Sequence, residues 1–481
     1  MATPSPYKHI LKYTGIFGSI QVVTMLASVL RNKAAAILID RYGQGLTDLF
    51  SNTVTLISTA TTLVIPIAVV RRLSLLYERH GDGSPRLTEA IRVIRSWSLL
   101  TGLIATVLVA VGSPLLSQIT LGGTQFTRSY LFLSPMLLLV SVNGTEVAIL
   151  KATRRLSPLA KASVAGSLFT MVVSVASYWL WSLRGIVVSL DVSALCVTLL
   201  SLRCTLKAYP YRVAPFSWNV LRRGTGLIRL SVAFILAAVV AALMEMLIRT
   251  FISNNGSIED VGLYGAGFAL TVTYTRFVFS AMDADYYPRL SGLSGNRPQM
   301  NITINKQVMV CVLIIVPCLI LFNLFLPFIV SLLYTAKYFE IIPMVMCATF
   351  YVFSKAVLTP VAYTSLAKGD SKMYLLMESI SALLLGACVV GGYSIGGLTG
   401  SGVGLTLSNL LELVIIFVVY RRSYGVGLSR DTWMTVFLQL IILLAGMACV
   451  VFVPSATIWH YAGAFLLAIV SVFASWRLMK R

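Results

Sequence analysis

The chain has 481 residues, of which 57% are hydrophobic and only 11% charged, and its mean hydropathy is +0.86. Soluble domains carry about 25% charged residues, and surface area grows too fast with size for a soluble fold to hide this much apolar side chain. The composition therefore excludes a soluble enzyme and a disordered chain, and it indicates an all-α polytopic membrane protein.

The apolar runs predict fourteen transmembrane spans joined by short connections, because a helix needs about 20 residues to cross a hydrocarbon core of ~30 Å. We number the spans 1 to 14 in chain order. They are predicted at 13–38, 48–70, 93–117, 129–150, 159–182, 185–202, 226–250, 263–287, 307–334, 341–366, 373–393, 401–420, 433–453 and 458–476.

The basic residues give the topology. The formal net charge is +21, from 38 Lys and Arg against 17 Asp and Glu. In a soluble protein this balance would suggest nucleic-acid binding, but here the basic residues lie between apolar runs. With a cytoplasmic N-terminus, 28 Lys and Arg fall in cytoplasmic segments and four in outer segments, as the positive-inside rule requires. We therefore expect both termini in the cytoplasm.

The sequence also has the pattern of an internal duplication at an offset of 217 residues. Matches cluster at equivalent span ends: Gly45–Leu46 with Gly262–Leu263, Arg72–Ser74 with Arg289–Ser291, Lys151 with Lys368, and Gly185 with Gly402. Because six spans is an even number, the two copies have one orientation in the membrane, as in the parallel repeats of some transporters. We expect six-helix lobes at 1–215 and 216–425, with spans 13 and 14 appended at 426–481.

No enzyme or metal motif is convincing. The glycine-rich run 396–404 lacks the strand that a dinucleotide fingerprint requires, so we interpret it as a turn between closely packed helices. The three histidines are scattered, and the seven cysteines have no metal-ligand spacing. We expect no catalytic residue, no metal ion and no cofactor.

Ionisable residues inside spans are the most informative feature. Each costs roughly 2.5–3.5 kcal/mol at the bilayer centre, so each should face a partner or a wet cavity. Internal ion pairing that fixes helix register remains an alternative, as does a position of Arg31 at the outer interface. The basic candidates, which we expect to line one cavity for an anionic cargo, are Arg31, Arg249, Arg276 and Lys355; the acidic candidates for ion coupling are Glu245, Glu378, Glu412 and Asp283.

Small polar residues recur every three or four positions in spans 1, 2 and 8, which places them on one helix face. Such stripes most often serve helix packing, but their occurrence in both halves favours a shared cavity. The stripe residues that we expect in it are Gln21, Thr24, Ser28, Asn52, Thr55, Thr59, Thr273 and Ser280.

Two segments resemble a known family: residues 11–58, which begin LKYTGIFGSI, and residues 259–293, which contain DADYYPRL. They resemble bacterial O-antigen and capsule-repeat flippases of the multidrug/oligosaccharidyl-lipid/polysaccharide exporter superfamily. The resemblance covers essentially the whole chain. It implies two six-helix lobes around a cationic cavity and transport of undecaprenyl-pyrophosphate-linked sugars across the inner membrane. Arg31 and Arg276 match by position the basic residues that relatives use on spans 1 and 8, whereas a third basic residue early on span 2 is missing.

The leading hypothesis is therefore a lipid-linked oligosaccharide flippase, with the lipid-linked glycan as its partner and with polysaccharide polymerase and glycosyltransferases as further candidate partners. Pyrophosphate would bind Arg and Lys through charge-assisted hydrogen bonds. A cation-coupled multidrug or small-solute antiporter of the same architecture is the alternative, although an exporter of cationic drugs would require acidic residues in its cavity. A membrane glycosyltransferase would be expected to carry a large outer loop, and no predicted outer loop exceeds about 15 residues.

Overall fold

The regular structure of the chain is helical throughout the part that the computed structural model describes. That part comprises residues 23–61, 66–213, 232–273, 275, 279, 286–287, 289–293, 295–453 and 458–479. Contacts divide the chain into two compact units, Met1–Gly262 and Leu263–Arg481.

Two helices of the first unit begin where the sequence supplies a cap or a proline. Ser84 caps α4 by accepting a hydrogen bond from the Leu87 amide, and Pro135 occupies the first turn of α6. The helices are α1 (23–38), α2 (Asp40–Thr61), α3 (Pro66–His80), α4 (Pro85–Leu121), α5 (Thr127–Leu133), α6 (Pro135–Ala152), α7 (Leu156–Trp181), α8 (Gly185–Leu206), α9 (Val232–Asn255) and the start of α10 (Ile258–Phe268).

The second unit is organised around α11, which packs against three other helices of that unit, α13, α15 and α16. Asn323 on α11 and Thr349 on α13 exchange side-chain hydrogen bonds of 2.9 and 3.1 Å at a fully buried position. The helices are the end of α10, a π-helical turn at Ala269–Thr273, α11 (Arg297–Leu324), α12 (Leu326–Leu333), α13 (Ile342–Ala367), α14 (Ser371–Tyr424), α15 (Arg430–Phe452) and α16 (Ile458–Met479).

Within the described residues, eight helical stretches are long and apolar enough to cross a membrane. Two of these, 157–206 and 371–424, contain 50 and 54 residues. At 1.5 Å per residue each would be roughly 75–80 Å long, more than twice the hydrocarbon thickness. Each stretch must therefore supply more than one crossing.

Both long stretches fold back as hairpins. A Cβ placed on Gly185 would lie 2.1 Å from the Ser177 carbonyl oxygen, so the start of α8 lies against the end of α7. In α14 the backbone turns at Gly396 and at Gly397, which has φ +57°, and a Cβ on Gly392 would lie 2.1 Å from the Gly400 oxygen. The turn predicted for the glycine-rich run is confirmed, and predicted spans 5, 6, 11 and 12 each correspond to one arm.

These findings confirm an all-helical, multi-pass membrane chain. The number fourteen, the two repeat lobes and the location of the termini stay predictions. The predicted boundaries at 215/216 and 425/426 also stay predictions, since they describe a sequence repeat and the contact division describes compactness. By that division, α9 belongs to the first unit, where it packs against α2.

Several helices begin earlier than the hydropathy pattern predicts. Helix α2 starts at Asp40, eight residues before predicted span 2, and α11 starts at Arg297, ten residues before predicted span 9. The reason for α11 is local: Asn296 caps it by accepting from the Gln299 amide, and Pro298 follows in its first turn. A cap and a proline set the start of α11, whereas apolar content sets only the part of a helix that lies in lipid.

Candidate functional site

A polar cavity of about 460 Å³ lies inside the first unit, between α1, α2, α6, α7 and α8. Its wall combines one arginine, one carboxylate and many hydroxyl and amide groups. These polar lining residues are Arg31, Asn32, Gln44, Thr47, Asp48, Ser51, Asn143, Thr170, Ser174, Tyr178, Ser189, Ser193 and Thr198.

A second cavity of about 280 Å³ continues this space, because the two share Arg31, Asn143, Thr170 and Val197 in their walls. The wall is held by hydrogen bonds between helices. Ser201 donates to Oδ1 of Asn143 at 2.7 Å, and Ser189 donates to the Ser174 hydroxyl at 2.9 Å. A cavity with these groups can accept sugar hydroxyls along its wall and an anion at Arg31.

Four charged side chains act on one another beside the larger cavity. The carboxylate of Asp48 is within electrostatic range of Arg249, Arg31 and Glu245. Arg249 is 6% exposed, and its Nη1 lies 3.7 Å from Oε2 of Glu245 and donates to the Glu245 carbonyl oxygen at 3.0 Å. The predicted i, i+4 pairing of Glu245 and Arg249 is therefore present, and the four charges sum to zero.

The second unit holds another ion pair. Nζ of Lys355 on α13 lies 3.5 Å from Oε2 of Glu412 on α14. One turn earlier on α14, the Asn409 amide donates to the Ser354 hydroxyl at 2.6 Å. Glu378, another predicted coupling residue, is exposed at the side of α14 that carries Tyr374, with which it interacts electrostatically.

The remaining predicted site residues fall into three groups. Thr24 and Ser28 line the smaller cavity. Asn52, Thr55, Thr59 and Thr273 are described but line neither cavity, and the amide of Asn52 and the hydroxyl of Thr55 bond to backbone carbonyls one turn earlier. Gln21, Arg276, Ser280 and Asp283 lie outside the described residues. The meeting of Arg31, Arg249, Arg276 and Lys355 in one cavity stays a prediction.

Sequence reasoning missed Asp48 and Asn143, although both line the larger cavity. Asp48 stood at the first residue of predicted span 2, where a carboxylate looks like an interfacial residue. With α2 beginning at Asp40, Asp48 lies in its third turn. Asp40, an acidic residue in the first turn of α2, is the signal that would have moved the predicted helix start.

A buried ion pair between α4 and α6 also escaped prediction. Arg95 and Glu146 are each 1% exposed, and Nε and Nη2 of Arg95 donate to the two carboxylate oxygens at 2.8 and 2.9 Å. Arg95 also donates to the Pro210 carbonyl oxygen at 2.9 Å and lies over the Tyr211 ring. Arg95 lies within three residues of the predicted start of span 3, where a basic residue is expected at the membrane surface.

The loops at this end of the first unit are tied to one another. The Tyr209 hydroxyl donates to Asp82, and Arg155 donates to the other oxygen of Asp82 at 2.8 Å. The hydrogen bond from Tyr209 and the charge of Arg155 hold the pKa of Asp82 below its usual value. Burial and the bond to Asp82 raise the pKa of Tyr209. These bonds tie the segment after α8 and the loop after α6 to the loop between α3 and α4.

Comparison with solved structures shows the fold. The lipid II flippase MurJ in an inward closed conformation has a TM-score of 0.71 at 12% identity, covering 98% of this chain and 100% of that one. An inward-facing multidrug resistance MATE family transporter of the MOP superfamily has a TM-score of 0.68 at 13% identity, with coverage of 87% and 96%. A MOP superfamily transporter from Pyrococcus furiosus has a TM-score of 0.61 at 13% identity, with coverage of 85% and 95%.

Comparison of sequences gives the family. No curated protein matches the chain. Residues 86–343, more than half of the chain, match the family described as polysaccharide biosynthesis protein. The resemblance noted from residues 11–58 and 259–293 is confirmed at this level: the chain belongs to the polysaccharide biosynthesis protein family and has the fold of the MOP superfamily.

Proposed function

We propose that the chain is a flippase that moves undecaprenyl-pyrophosphate-linked oligosaccharides across the bacterial inner membrane by alternating access. The observation that carries the proposal is the polar cavity of the first unit, where Arg31 stands among hydroxyl and amide groups. Polysaccharide biosynthesis is the family's description, and a lipid-linked glycan is a cargo that this chemistry fits.

The cavity suits both parts of a glycan pyrophosphate. Arg31 offers a planar fork of donors for phosphate oxygens. The hydroxyls of Thr170, Ser174 and Ser193 and the amide of Asn143 offer donors and acceptors for sugar hydroxyls. The lipid would stay in the bilayer, so the cavity needs no apolar channel of its own. Transport requires no bond to break, which agrees with the expectation that the chain is not an enzyme.

The test is glycan display in a strain that lacks the native gene and carries variants of this chain. Arg31→Ala should abolish surface glycan while the protein stays in the membrane at its normal level. Arg31→Lys should restore display only weakly, because lysine offers a point charge in place of two parallel hydrogen bonds.

Lys33→Ala is the matched control. Lys33 is two residues away on α1, about 200° around the helix, and lines neither of the two cavities that contain Arg31. We expect near-normal display from it. Normal display by Arg31→Ala would contradict the anion-binding role and leave the flippase proposal without its structural support.

A cation-coupled antiporter of small solutes is the second candidate, and one observation favours it. Asp48 places a carboxylate in the cavity wall, as a site for a cationic drug requires. The two candidates differ in the strain test: an antiporter would change resistance to cationic dyes and leave surface glycan unchanged, whereas a flippase would do the reverse.

A further inference from the structure

Asp48 occupies an unusual position for a carboxylate inside a helical membrane unit. It lies in the wall of the larger cavity together with Arg31. Among the described residues, no cationic group lies within 4.0 Å of the Asp48 carboxylate, and no donor forms a hydrogen bond with that carboxylate. The charges that act on it come from Arg249, Arg31 and Glu245. The carboxylate is thus held near two arginines without direct contact.

Titratable groups from three neighbouring helices surround Asp48. Helix α1 contributes Arg31, and α9 contributes Arg249 and Glu245. Tyr178 of α7 lines the same cavity. The titratable residues of α4, α6 and α8 are not among the groups that act on Asp48; they are Arg86, Glu89, Arg92, Arg95, Glu146, Lys151, Asp191, Cys196, Arg203 and Cys204.

The charge sum determines what an anion meets in this cavity. Two arginines and two carboxylates give zero, and Glu245 lies against Arg249. A pyrophosphate that joins a lipid to a sugar is a diester with two permanent negative charges. When it reaches Arg31 it also meets Asp48, and like charges repel strongly in a medium of low dielectric constant. Loss of the charge on Asp48 would remove this repulsion and leave Arg31 as the charged group of the cavity wall.

We propose that Asp48 takes up one proton when a pyrophosphate diester binds in the cavity and releases it when the diester leaves. The inference rests on the proposed function and names the ion, a proton, to which binding of the cargo is coupled. The proton comes from water on the side to which the cavity is open and forms an O–H bond on one carboxylate oxygen. That hydroxyl then donates to a phosphate oxygen, and the reverse transfer to water accompanies release.

The experiment is isothermal titration of the purified full chain in nanodiscs with P1-citronellyl P2-methyl diphosphate. Each phosphate of this diester lacks the second ionisation that a phosphate monoester shows at a pKa of about 6, so the ligand itself neither takes up nor loses protons near neutral pH. Titrations in buffers of different ionisation enthalpy count the protons bound. The wild type should take up about one proton per ligand, and its Kd should rise up to tenfold per pH unit over the coupled range.

Asp48→Asn should bind the diester with no proton uptake and with a Kd that changes less than about threefold over the same range. Asp191→Asn is the matched control. Asp191 lies on α8. Its Oδ1 is buried and has no hydrogen-bond partner among the described residues. This control should still take up one proton.

The outcomes separate the two ideas. Binding by the wild type without proton uptake would overturn the linkage and leave the flippase proposal standing, and this result requires no variant to fold. Equal proton uptake by Asp48→Asn and wild type would also overturn it. Absence of diester binding by the wild type would contradict the proposed function itself, and the linkage would fall with it.

Discussion

Replacing Glu146 by Gln should destabilise the first unit by about 3–5 kcal/mol, the usual cost of removing one partner from a buried pair. Glu146 and Arg95 are each 1% exposed, so the arginine that remains has no access to water. Two carbonyl oxygens, of Pro210 at 2.9 Å and Tyr209 at 3.4 Å, would still accept its hydrogen bonds. Carbonyls satisfy donors but do not neutralise the charge, so most of the cost persists.

Thermal unfolding of the detergent-solubilised protein measures this cost. The melting temperature of a domain of 150–250 residues falls by roughly 2–4 °C for each kcal/mol of destabilisation. We therefore expect a decrease in the melting temperature on the order of 10 °C. Glu78→Gln is the control at the same end of the unit. Its partner is Arg154, and the two side chains are 54% and 68% exposed. Exposed pairs contribute about 0–1 kcal/mol, so this variant should melt within a few degrees of wild type.

A double substitution completes the test. Arg95→Met with Glu146→Leu removes both charges, and buried pairs replaced by apolar residues are often neutral or stabilising. We expect this protein to be more stable than Glu146→Gln alone. Equal melting temperatures of Glu146→Gln and Glu78→Gln would refute the reasoning, since the burial of an ion pair would then not change its contribution to stability.

Three further predictions follow from contacts in the two units. Gly45→Ala should destabilise the first unit, because a Cβ there would lie 1.9 Å from the Ile258 carbonyl oxygen; Gly112→Ala, with no atom within 4 Å, should be neutral or slightly stabilising in the same melting assay. The pKa of Asp82 is lowered mainly by the Tyr209 hydroxyl. The small contribution of Asp82 to stability is therefore present above about pH 4 and is lost as pH falls further. Tyr209→Phe should weaken this acid dependence in melting curves taken across that range. Lys355→Met should reduce stability, because it removes the cation that lies beside the buried Glu412. The double variant Lys355→Met with Glu412→Gln should recover part of the loss. An additive loss in the double variant would contradict a direct pair.

The sequence was sufficient for the features that depend on apolar content and on glycine. Runs of about 20 apolar residues predicted the helices that cross a membrane, and the glycine-rich run 396–404 predicted the turn at Gly396 and Gly397. The close approach of Gly392 to Gly400 has the same origin, since a side chain on either residue would collide with the facing backbone. The repeat even aligned Gly45 with Gly262, two glycines whose backbones contact each other.

The helix ends and the interior polar groups were harder to predict. Hydropathy fades where a helix leaves the lipid, but the helix continues until a cap, a proline or a glycine ends it. For this reason α2 extends eight residues before its predicted start and carries Asp48 into the cavity wall. Glu146 lay within a predicted span, yet its pairing with Arg95 joins positions 51 residues apart, and one sequence contains no signal for a contact at that separation.

The neutral charge sum around Asp48 bears on how one fold accommodates cargoes of opposite charge. The net positive cavity expected from Arg31, Arg249, Arg276 and Lys355 stays a prediction. Within the first unit, Arg31 and Arg249 are matched by Asp48 and Glu245. With Asp48 ionised, the cavity wall presents a carboxylate to a cation; with Asp48 protonated, Arg31 would be the charged group that the wall presents to an anion. Under the proposed linkage, one proton would change the sign of the ligand that the site prefers. A flippase that works by this exchange needs no large conformational change at the binding groups themselves, because the step that selects the cargo is the ionisation of a single side chain.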